Sequence, residues 1–136
     1  MPAMAGLLLI AHAPLASALQ AVAQHAFADS GVPLQALDVE PDASPEDIEA
    51  QARALLQRLG VEEALVLTDV FGATPCNVAQ RLGDAQRVRV IAGVNVPMLW
   101  RALCYAAEPL EALAERAVAG SIQGVQQLPM PHNSIS

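Results

Sequence analysis

The stretch AGLLLIAHAPLASALQAVAQHA, residues 5–26, changes its period at His12. Residues 5–11 form an unbroken apolar run of strand length. After His12, Ala13 and Pro14, the apolar residues Leu15, Leu19, Val22 and Ala26 recur at helical spacing. The stretch therefore reads as a strand, a short loop and a helix, with a histidine at the carboxyl end of the strand.

The same unit repeats along the chain. Gly31 and Pro33 break the helix, and residues 32–38 supply a second strand. Ser44, Pro45, Glu46 and Asp47 give an N-cap, a proline at the first helical position and acidic residues in the first turn. Ile48, Ala52, Leu55, Leu56 and Leu59 form the stripe of that helix, and Gly60 stands where a left-handed C-terminal residue is expected. Residues 64–68 are a third strand ending at Asp69, and Thr74 with Pro75 is expected to open a helix as Ser44 and Pro45 do. Residues 88–92 form a fourth strand, and Pro97 opens a fourth helix carrying Leu99, Leu103 and Ala106. From Leu110 to Val125 a helical period continues, although Gly120 and Gly124 leave a strand possible for its last turn. Residues 129–136 have the composition of a tail.

Alternating strands and helices imply a parallel sheet covered on both faces. The expected class is α/β: a three-layer doubly wound sheet, mainly parallel, in the order 2-1-3-4. One domain over residues 1–128 accounts for the chain. In that order the winding reverses between strands one and three, where ligands bind in such sheets.

Composition excludes several functions. A net charge of −7 with no lysine argues against a phosphate-backbone footprint, so nucleic acid is not an expected partner. Mean hydropathy is +0.36, but the most apolar stretch, residues 5–23, is interrupted by His12, Pro14, Ser17 and Gln20 and is not expected to span a bilayer. It also lacks the basic flank of a signal peptide, the first positive side chain being Arg53, which points to the cytoplasm. Cys76 and Cys104 fit neither a disulfide framework nor a zinc spacing, and both are expected to be buried thiols.

His12 and Asp69 end neighbouring strands, which lie about 4.8 Å apart in a sheet. A carboxylate holding the proton of one ring nitrogen fixes the tautomer and leaves the other nitrogen as a nucleophile. Ala13 and its neighbours before the first helix, and Gly72, Ala73 and Thr74 before the third, bring backbone N–H groups to the same crevice and suit an anion such as a phosphoryl group. Thr74 reads first as a helix cap, with phosphate contact in addition. A histidine after a strand can equally be a structural residue, and spacing alone leaves that open. His25 and His132 lie away from the strand ends, and no histidine stands near His12 to complete a metal site. The acidic residues Asp38, Glu40, Asp42, Glu46, Asp47 and Glu49 read as a solvated face that favours a helix N-terminus and could steer a basic partner.

Three segments carry a family resemblance: Leu7-Leu8-Leu9-Ile10-Ala11-His12-Ala13, Leu67-Thr68-Asp69-Val70-Phe71-Gly72-Ala73-Thr74-Pro75-Cys76-Asn77 and Ile91-Ala92-Gly93-Val94-Asn95-Val96-Pro97-Met98-Leu99. They resemble the mannose-type IIA components of the bacterial phosphoenolpyruvate-dependent sugar phosphotransferase system. The resemblance implies that His12 accepts a phosphoryl group from the carrier protein HPr and passes it to a IIB component. It further implies that Asp69 orients His12, that the Thr74 hydroxyl lies nearby, and that the protein is a homodimer; no cofactor or metal is expected. Membrane contact would be indirect, through other transporter components. The family commonly has glycine where this chain has Ala13 and Ala73. Two other readings stay open: a regulatory module of the same fold, and a subunit resembling the phosphotransferase part of dihydroxyacetone kinase, against which residues 93–98 speak. Neither nucleotide-binding glycine motif occurs.

Overall fold

The computed structural model describes residues 4–131. Four strands, β1 (Gly6–His12), β2 (Leu34–Val39), β3 (Ala64–Thr68) and β4 (Val88–Ala92), form one sheet in the order β2-β1-β3-β4, every pairing parallel. Between and after them run α1 (Leu15–Ala26), α2 (Pro45–Leu59), α3 (Thr74–Leu82), α4 (Val96–Cys104) and α5 (Leu110–Gln123).

The connection from β1 to β2 travels one way across the sheet, and those from β2 to β3 and β3 to β4 travel the other. Crossovers of one hand must then place α1 on one face and α2 and α3 on the opposite face. The core divides accordingly. Leu7, Leu9, Ala11, Leu65 and Leu67 pack with residues of α1, α4 and α5, whereas Leu8, Ile10 and Val66 pack with Ile48 and Ala52 of α2 and Val78, Ala79 and Leu82 of α3. β1 and β3 are central strands buried on both faces, which is why their sequences run apolar without alternation. Each such leucine contributes about 1.5–3 kcal/mol by leaving water.

Local rules set most boundaries. Ser44 Oγ accepts the Asp47 N–H at 3.1 Å, and Gly60 ends α2 at φ +65°. β2 starts at Leu34 rather than at residue 32, because Pro33 has no N–H to give the ladder. α4 begins one residue before Pro97, with Asn95 as its cap accepting the Met98 N–H at 2.8 Å. α5 stays helical through Gln123, and residues 124–131 have no regular structure, so the last turn is not a strand. Gly120 sits inside that helix because a Cβ there would lie 2.8 Å from Arg101 Cβ of α4. Residues 132–136 of the expected tail lie outside the described residues.

One burial expectation fails. Cys76 is buried in α3, but Cys104 is exposed, sharing the outward side of α4 with Trp100 while Met98, Leu99, Ala102 and Leu103 face the core.

Candidate functional site

His12 is the last residue of β1, and Asp69 follows β3 directly. Two strands that stop side by side bring a ring and a carboxylate together. Asp69 Oδ2 accepts the His12 backbone N–H at 3.0 Å and lies 2.7 Å from His12 Nδ1, and Asp69 Oδ1 accepts the Val70 N–H at 2.8 Å. Burial raises the Asp69 pKa, but the His12 N–H, the His12 ring and the Val70 N–H together outweigh it and hold the carboxyl below its ordinary value. An ionised carboxylate only accepts, so Nδ1 carries the proton and Nε2 of the neutral ring carries the lone pair. The His12 side chain is 54% exposed and that of Asp69 only 10%: the carboxylate is the fixed, sheltered partner and the ring the accessible one.

Side chains alternate along β1, so His12 belongs to the face of Leu8 and Ile10, the face that α3 covers. The Ala13 N–H donates to the Val39 carbonyl at 3.0 Å and the Ala73 N–H to the Val70 carbonyl at 3.2 Å, so neither is free. α1 lies on the opposite face, and the Ser17 N–H in its first turn is already taken by Asp38 at 2.9 Å. What remains beside His12 is the α3 end, where Gly72 turns at φ +88° and Thr74 and Cys76 lie in a first turn whose N–H groups have no partner within the helix. The Gly72 turn is itself held by Asn77, whose Nδ2 donates to the Gly72 carbonyl at 3.2 Å.

Thr74 is not the cap of α3. Ala73 occupies that position without a side-chain bond, and Thr74 is the first helical residue, exposed, with its hydroxyl not spent on capping. Of the acidic residues, Glu40, Asp42, Glu46 and Asp47 are exposed, the last two in the first turn of α2, whereas Asp38 binds Ser17, and Glu49 pairs with Arg53 at 2.9 Å and with Arg81 of α3 at 3.4 Å. His25 is exposed about 15 Å along α1 from Leu15 and takes no part, and His132 lies outside the described residues.

Sequence reasoning missed a third support. The Gly93 N–H donates to the Asp69 carbonyl at 2.8 Å and the Val94 N–H to the Thr68 carbonyl at 3.0 Å, so the turn after β4 fixes the main chain that carries Asp69. Asn95 anchors this turn, donating from Nδ2 to the Ser121 carbonyl of α5 at 3.3 Å. The Gly93-Val94-Asn95 motif was visible in the sequence, though not its contact with Asp69. Among the described residues, no three His, Cys, Asp or Glu side chains gather as a metal site requires, and no helix is long and apolar enough to cross a membrane.

Residues 6–118 match the family described as PTS system fructose IIA component, EIIA-man. Among solved structures, the mannose/sorbose specific IIA subunit of the phosphotransferase system from Enterococcus faecalis is similar at a TM-score of 0.83 and 25% identity, over 97% of this chain and 100% of that one. Phosphotransferase system component EIIA from Streptococcus agalactiae aligns at 0.80 and 21% identity, over 91% and 97%. The PTS IIA protein associated with the fucose utilization operon of Streptococcus pneumoniae aligns at 0.77 and 22%, over 93% and 96%. No curated protein matches the chain. The family match spans both strand ends, the α3 N-terminus and the Gly93 turn, and the chain belongs to the mannose-type IIA family of the bacterial sugar phosphotransferase system.

Proposed function

We propose that the protein is a cytoplasmic phosphoryl carrier that takes a phosphoryl group from phosphorylated HPr onto His12 Nε2 and hands it to a IIB component. The observation that carries this reading is the 2.7 Å contact between His12 Nδ1 and a carboxylate held ionised, on a ring otherwise open to a protein partner.

The Nε2 lone pair attacks phosphorus in line as the nitrogen–phosphorus bond of the donor breaks, and the bonding pair returns to the donor ring. No proton needs to leave His12 before attack. The substituted ring becomes cationic, and Asp69 stabilises that charge without taking the Nδ1 proton. Transfer to IIB repeats the displacement with His12 as leaving group. The segments 12–17 and 69–77 contain no Lys or Arg, so the N–H groups of Gly72 and Thr74, with the exposed Thr74 hydroxyl, are the donors assigned to the phosphoryl oxygens.

A homodimer agrees with the family and with the outer edge of β4, which pairs with no strand among the described residues. Incubation with phosphorylated HPr, followed by transfer to a IIB component, tests the function. Failure of the wild-type chain to accept phosphate refutes it.

A further inference from the structure

We propose that Asp38 is a positioning residue for phosphoryl transfer, acting through Ser17 on the turn that follows His12; the proposal rests on the carrier reading above. Asp38 lies in β2 opposite Ala11, one place before the register partner of His12. It points to the α1 face, being flanked in β2 by Leu37 and Val39, which pack on the other face. Its two oxygens hold one residue: Oδ1 accepts the Ser17 N–H at 2.9 Å and Oδ2 accepts the Ser17 hydroxyl at 2.6 Å. The same hydroxyl lies 3.1 Å from the Pro14 carbonyl oxygen. Only Ala13 and Pro14 separate His12 from α1; with His12 held at the end of β1, gripping Ser17 fixes the far end of this two-residue link.

His12 is thus framed by two carboxylates, Asp38 within β2 and Asp69 just past the end of β3. Asp69 on the β3 side holds the ring and its N–H, and Asp38 on the β2 side holds the helix into which the chain passes next. The Ala13 N–H to Val39 completes the β2 attachment. The frame also selects where the phosphoryl group lies. A helix N-terminus attracts anions; Asp38 occupies that of α1 and leaves that of α3, on the face of His12, for the phosphoryl oxygens. Loosening Ser17 would let the link move and would reopen the wrong anion site.

The test compares Ser17→Ala, Ser17→Thr and Asp38→Asn with wild type, using phosphorylated HPr and, separately, phosphoramidate, a small donor that needs no docking. Ser17→Ala and Asp38→Asn are expected to slow phosphorylation of His12 at saturating donor by about three- to tenfold, the worth of one or two ordinary hydrogen bonds. KM for phosphorylated HPr should stay near wild type, and Ser17→Thr should restore the rate. A merely structural pair would lower the melting temperature and leave these rates unmoved. Should Ser17→Ala fail to fold, Asp38→Asn, which keeps an acceptor for Ser17, carries the comparison. Wild-type rates with both donors, or a change confined to KM for the protein donor, overturn the proposal. A wild type that reacts with phosphoramidate but not with phosphorylated HPr refutes the carrier reading, while the variants still decide the role of Asp38.

Discussion

Replacing Asp69 by asparagine separates the chemistry of the carboxylate from its shape. Asp69 accepts three hydrogen bonds, two from His12 on Oδ2 and one from Val70 on Oδ1. An amide offers one acceptor and one donor in the same space. If its oxygen faces His12, the amide N–H₂ meets the Val70 N–H and the charge beside the ring is lost. If its oxygen faces Val70, the amide donates to Nδ1, the ring proton moves to Nε2, and the nucleophilic lone pair disappears. Either arrangement weakens a charge-assisted bond worth about 1.5–3 kcal/mol, which converts to about a ten- to hundredfold slower transfer. The fold should survive, since the buried strand residues are unchanged and each arrangement adds a single donor–donor contact, with the Val70 N–H in one and with the His12 N–H in the other. Rapid-quench transfer from phosphorylated HPr, paired with thermal unfolding, measures both quantities. A folded Asp69→Asn protein that accepts phosphate at the wild-type rate would show that Asp69 is only a turn residue.

The lowered pKa of Asp69 means that its ionised form is favoured by folding, so its contribution to stability is complete above the ordinary carboxylate pKa and is lost as pH falls through the lowered value. Thermal melts between about pH 5 and pH 2 should therefore show an acid-side loss that is smaller in Asp69→Asn than in wild type. Gly72→Ala places a Cβ at φ +88°, which costs about 1–2 kcal/mol although no atom blocks the Cβ; it should lower the melting temperature and slow phosphorylation by displacing the Gly72 and Thr74 N–H groups. Light scattering should give a mass twice the 14.2 kDa of one chain, and a mass of one chain at micromolar concentration counts against the dimer.

The sheet was legible because its two central strands are buried on both faces and therefore spell continuous apolar runs, 7–11 and 64–67, between loops marked by Gly, Pro and Asp. The alternation of strands and helices suggested the doubly wound order 2-1-3-4, and that order brought the ends of the strands before His12 and Asp69 together. Ser44, Pro45 and Gly60 marked α2 correctly because both of its ends are settled by residues within the helix or next to it. The start of α3 was misjudged by one residue: a threonine before proline suits a cap, but the left-handed turn at Gly72 puts Ala73 in that place. Contacts across the fold carry no local signature. Ser17 and Asp38 are 21 residues apart, and the bond from Gly93 to Asp69 depends on β3 and β4 ending together. The exposure of Cys104 likewise depends on which side of α4 the rest of the chain covers, which helical period alone does not decide.

The most direct measurement is to incubate the full chain with phosphorylated HPr and locate the phosphoryl group by mass mapping under conditions that preserve phosphohistidine. One group per chain on His12 is expected, at Nε2 by ³¹P resonance, with none accepted by His12→Ala. Label on His25 or His132, or a His12→Ala protein accepting phosphate at the wild-type rate, would contradict the assignment of His12 as the carrier.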